Sequence, residues 1–198
     1  KIKLIIHNSK LIIMELKIQN SKLKTKKGFT LIELLIVIGI ISILATAVVL
    51  VLNPAQLLAQ ARDSTRISDL RSINSAIGLY LSTATSPILT AGPFAQWTTA
   101  TCWSLSGTCI ARDIYTVAGA GWVAVDLTGT TGGSPLAALP RDPTNNATYH
   151  YAYAGDNTNK TFEFNAELES TKYSPLEGTD GGSSTTIYEV GTAPGLAL

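Results

Sequence analysis

The sequence predicts an α+β fold: a long N-terminal helix, membrane-spanning in its first half, packed on a small antiparallel β-sheet of four to five strands. Three observations carry this. Phe29–Leu52 is an apolar run with a single charge, Glu33. Residues 55–81 keep apolar residues at spacings of three and four. Beyond residue 110, short segments alternate apolar and polar residues between turn-rich stretches.

Charge divides the 198-residue chain, although its formal net charge is only +1. Residues 1–28 hold eight lysines and one acid, Glu15; the remainder holds seven basic and thirteen acidic residues, a balance of about −6. A basic flank before an apolar span reads as cytoplasmic, so the rest is expected outside. The acidic balance gives no support to nucleic-acid binding. Asn8-Ser9-Lys10-Leu11 recurs as Asn20-Ser21-Lys22-Leu23. The first copy lies ahead of Met14, so Met14 is the expected start of a short basic leader, Met14–Gly28, and residues 1–13 are set aside.

Phe29–Leu52 is long enough as a helix, at ~36 Å, to cross a ~30 Å hydrocarbon core. Residues 53–81 continue it as an amphipathic helix, with Leu58, Ala61, Ile67, Leu70, Ile73, Ile77 and Leu81 on one face. Asp63, Arg66, Asp69 and Arg71 are expected off that stripe, with Asp63–Arg66 a weak surface pair. Pro54 lacks an N–H and crowds the preceding turn, so a kink or unwound turn is expected there. Gly39 is a second weak point.

Residues 82–109 read as an irregular connection that ends in the Cys102–Cys109 loop. An even cysteine count on the exported side favours a disulfide; the rival readings are two free thiols or half a metal site. Residues 110–198 read as sheet and tail. Ile110–Val117 and Gly121–Leu127 form an expected hairpin, and Leu139–Asn146 a loop. Thr148–Ala154 reads as a half-buried strand with Tyr149, Tyr151 and Tyr153 on one face. Thr161–Leu168 alternates likewise, and Thr185–Val190 closes the sheet. The apolar face of helix 55–81 is the available cover.

Glu33 is the anomaly. An acid at mid-bilayer costs roughly 2.5–3.5 kcal/mol on the mildest scale. A plain anchor explains the length and the lysines but not the acid. A signal peptide cut after Ala47 would use Ala45-Thr46-Ala47 but leave an apolar stub, Val48–Leu52. Lys26-Lys27-Gly28-Phe29-Thr30-Leu31-Ile32-Glu33-Leu34 resembles the processing motif of type IV prepilins and type II secretion pseudopilins. That resemblance implies cleavage after Gly28 by a prepilin peptidase and methyltransferase, N-methylation of Phe29, and Glu33 as the acid that meets the terminal amine of a neighbouring subunit. It implies as partners other pilin-like subunits, an inner-membrane assembly platform, and membrane lipid before assembly. It implies a filament subunit rather than an enzyme, first in the cytoplasmic membrane and then outside the cell. Two features depart from the family: the proline lies farther from the cleavage site, and the cysteines precede the first strand instead of lying near the C-terminus. The alternative of another class is a monomeric, membrane-tethered binding domain.

No metal or cofactor is expected. Glu177 and Asp180 supply too few oxygens for calcium, and residues 178–184 read better as a linker. His150 reads as a surface or core histidine, and Asp142 and Asp156 as turn residues.

Overall fold

The computed structural model describes residues 6–7, 10–11, 28–98 and 101–192. The chain forms two units, Lys1–Ala47 and Val48–Leu198. In the first, β1 (Ile6–His7) pairs antiparallel with β2 (Lys10–Leu11), Ile6 opposite Leu11. Met14 and the lysines from Lys17 to Lys27 lie outside the described residues. Helix α1 runs Leu31–Leu52. Its stretch Leu31–Val49 is long and apolar enough to cross a membrane, and its large apolar side chains are exposed throughout.

The expected single helix is two. Asn53 separates α1 from α2 (Pro54–Thr83), adopting a left-handed φ of 41°. Asn tolerates that region better than most residues because its short amide bonds locally. Its backbone carbonyl accepts the Gln56 N–H (3.0 Å) and the Leu57 N–H (3.3 Å). Pro54 therefore begins a helix instead of kinking one; at the first helical position its missing N–H costs nothing.

Five strands form the sheet of the second unit: β3 (Phe94–Ala95), β4 (Ile110–Ala111), β5 (Tyr151–Asp156), β6 (Thr161–Ala166) and β7 (Tyr188–Gly191). Their order is β4-β3-β5-β6-β7. The sheet is mixed rather than wholly antiparallel: β3 and β4 run parallel, Phe94 opposite Ile110, and the other neighbours are antiparallel. The Cys102–Cys109 loop lies in the β3–β4 crossover, which returns the chain in the same direction. The hairpin expected at 110–127 reduces to a single bridge, Ala118 with Asp126, and Leu127–Gly129 is a 3-10 turn.

The front of the sheet carries Tyr151, Tyr153, Phe162, Phe164 and Tyr188. They pack with Ile67, Leu70, Ile73, Ala76, Ile77 and Tyr80 of α2 and with Trp122. Burial of each large side chain contributes roughly 1.5–3 kcal/mol. The expected helix cover is thus present, but Leu58 and Ala61 are exposed and do not take part. Strand β5 is buried on both faces, not one: Ala152 and Ala154 at the back pack with Ala95, Cys102 and Leu105.

Asp63 and Arg66 are not on the solvent face; both are fully buried. Arg66 donates Nη1–H to Asp63 (2.9 Å) and Nε–H to Asp142 (2.6 Å), and its Nη2 lies 2.6 Å from Glu169. Asp63 also accepts the backbone N–H of Glu169 and of Ser170, both at 2.8–2.9 Å. This hub fastens α2 to two loops. Burial works against the Arg66 charge, but Asp142 and then Glu169 outweigh it and raise its pKa. Burial pushes the Glu169 carboxyl up, but bonds from Arg62 and Arg66 overcome it and hold the pKa below the ordinary value.

Candidate processing and assembly site

The site is the entry to α1. Gly28 is exposed and has open space where a side chain would project. Phe29 is 85% exposed. Neither belongs to the helix, whose first residue is Leu31. The Gly28–Phe29 bond therefore lies in non-helical, accessible chain.

Thr30 and Glu33 fix where the helix starts. The Thr30 N–H donates to Glu33 Oε2 (2.8 Å), as does the Thr30 hydroxyl (2.8 Å). In return the Glu33 N–H donates to Thr30 Oγ1 (3.2 Å). The Leu34 N–H reaches the Thr30 carbonyl (3.2 Å), the first helical bond. This is a capping box, in which two otherwise orphaned donors are satisfied reciprocally. A carboxylate in the first turn also faces the positive end of the helix dipole. Thr30 escaped the sequence reading, which treated Glu33 only as a charge. The signal was present as Thr30-Leu31-Ile32-Glu33, the Thr-x-x-Glu pattern just before an apolar run.

Along α1 the remaining polar side chains bond within the helix. The Ser42 hydroxyl donates to the carbonyls of Ile38 (2.7 Å) and Gly39 (2.9 Å), and Thr46 to that of Ser42 (2.9 Å). Such back-bonding conceals hydroxyls that an apolar solvent cannot satisfy. Gly39 is helical, with open space beside it.

A family model described as the prokaryotic N-terminal methylation motif matches residues 23–49. The chain carries a type IV prepilin signature. The match ends within α1. No curated protein and no solved structure matches the chain. The motif implies processing by a prepilin peptidase and association with pilin-like subunits. With the apolar α1, it indicates membrane anchoring before assembly.

The other residues singled out from the sequence lie in the second unit. Cys102 and Cys109 form a disulfide with Cα atoms 5.6 Å apart. Next to Cys102, the ring of Trp103 stacks on His150 at 4.3 Å. His150 is fully buried, its ring nitrogens facing the carbonyls of Thr101 (2.8 Å) and Asn146 (3.1 Å). Burial lowers its pKa, against the pull of those two carbonyls. Asp156 is a turn residue, accepting the Thr158 N–H (2.7 Å). Asp142 accepts N–H groups from Thr144 and Asn145, as a turn aspartate does, in addition to binding Arg66.

Residues 178–184 are not a free linker. Asp180 accepts the N–H of Gly182 (2.9 Å) and of Glu189 (2.7 Å), while Glu189 accepts the Ser184 N–H (2.8 Å). Glu177 accepts the Leu168 N–H (2.8 Å). These carboxylates receive backbone donors. Among the described residues, no group of three or more His, Cys, Asp or Glu is arranged to hold a metal ion.

Proposed function

We propose that the chain is the precursor of a structural filament subunit, cut after Gly28, N-methylated on Phe29 and polymerised through α1 into a type IV pilus or a type II secretion-like pseudopilus. The methylation motif at 23–49 is the observation that carries the reading. The exposure of Gly28 and Phe29 outside the helix supports cleavage there. The apolar surface of α1 supports a sequence of states: single-pass in the cytoplasmic membrane, then packed among equivalent helices in a filament outside it. Lipid tails are as apolar as leucine, so assembly is driven by helix packing and by polar pairing.

In this reading Glu33 meets the Phe29 amine of a second subunit. Two charges too costly to bury alone are tolerable together, whereas a wrong register leaves both unpaired. The pair selects register more than it adds stability. Partners are the prepilin peptidase and methyltransferase, other pilin-like subunits, the inner-membrane assembly platform and, before assembly, lipid.

The test is the intact mass and N-terminal sequence of the chain after co-expression with a prepilin peptidase. A mature chain beginning at methylated Phe29 is expected. An uncut chain would return α1 to the role of a tether, and one beginning at Val48 would make it a signal peptide.

A further inference from the structure

We infer that Thr30 is the positioning residue of the assembly pair: it holds one oxygen of Glu33 so that the other is presented to a second copy of the chain. The inference rests on the filament reading above and deepens it. Both donors of Thr30, the N–H and the hydroxyl, converge on Glu33 Oε2 at 2.8 Å. Oε1 accepts no hydrogen bond from any described residue. One side-chain oxygen is thus fixed by the chain itself and the other is left open.

Three physical consequences follow. A carboxylate already held by two donors has lost most of its rotamer freedom, so a partner meets it without bearing that ordering cost. An open carboxylate oxygen in apolar surroundings is costly, and a group with several N–H donors, such as an amine, relieves it best. Both Thr30 donors lie on the C-terminal side of the Gly28–Phe29 bond, so the box survives cleavage intact. The precursor and the mature subunit then carry the same preset acid, and cleavage adds only the amine.

The experiment co-expresses two differently tagged copies with a prepilin peptidase. It measures processing by intact mass, and pairing by the amount of second copy retained on isolating the first. Thr30→Val is expected to be cut and methylated normally but to retain about fivefold to tenfold less partner, the effect of losing one cap-strength bond. Thr30→Ser should restore retention, because it keeps the hydroxyl. On a Glu33→Gln background, Thr30→Val should cause no further loss, since Thr30 acts through the carboxylate. Wild-type retention by Thr30→Val, or an equal further loss on the Glu33→Gln background, would overturn the inference while leaving processing untouched. An uncut wild-type chain would overturn the filament reading itself and remove this inference with it.

Discussion

Helix α1 and the body built on α2 handle polar groups in opposite ways. On α1 the apolar side chains point outward and every polar side chain finds its partner within four positions: Glu33 with Thr30, Ser42 with Ile38 and Gly39, Thr46 with Ser42. In the body the apolar side chains are inside, yet charges are buried with them. Arg66 binds Asp63 on its own helix and Asp142 far along the chain. The contrast shows what each region can rely on. A helix meant for an apolar solvent satisfies its hydroxyls and one oxygen of Glu33 itself, and leaves open only the other oxygen of that carboxylate. A folded body can hold a charge at its centre, provided several loops close around it.

Arg66→Ala tests that contrast most severely. It leaves buried Asp63 and Asp142 without their cation and Glu169 with Arg62 alone, and a loss of about 3–5 kcal/mol in unfolding free energy is expected by denaturant titration of the full chain in detergent. A variant within 1 kcal/mol of wild type would mean that the hub is ornamental. The disulfide comes next. Closing a loop this short removes unfolded-state entropy worth about 2.5 kcal/mol, so Cys102→Ser paired with Cys109→Ser should lower stability by roughly that amount. An unchanged denaturation midpoint would show that the loop is held on the sheet by its other contacts.

His150 gives a smaller, pH-dependent effect. Its folded pKa lies below the ordinary 6.5 because of burial. The unfolded chain therefore binds a proton near pH 6.5 that the folded chain refuses. The stabilisation is fully present above pH 6.5 and is lost as pH falls below it. His150→Gln should flatten stability between pH 7 and pH 5, as read from melting curves. A slope equal to wild type would assign the pH response to the carboxylates. Ser42→Ala should have the least effect, within about 0.5 kcal/mol, because its hydroxyl serves only its own helix. A larger loss of helix by circular dichroism would show that α1 depends on that bond.

How much of this was legible in the sequence follows from the range of the interactions. An unbroken apolar run announces α1, and the alternation in Thr161–Leu168 announces β6, because both are local patterns. The capping box was local too, and missed only because Glu33 was read as charge. The Arg66 hub could not be read: an i,i+3 Asp–Arg pair on a helix looks the same whether it faces water or two loops that arrive much later in the chain. Strand β3 is two residues long, too short for any period to register. The two-sided burial of β5 was hidden because alanine at Ala152 and Ala154 fits either face, and the cover comes from the cysteine loop. The Asn53 break was foreseen one residue late, at Pro54, since proline signals its effect in composition and asparagine does so in its backbone angles.

The loop that folds back over β7 has a bearing on life at high local concentration. An open sheet edge is a template on which another chain can add a strand. Asp180 occupies the Glu189 N–H on β7, and the opposite edge, β4, is only two residues long. Neither margin offers a usable ladder. At high local concentration such bodies are poor seeds for cross-β aggregation.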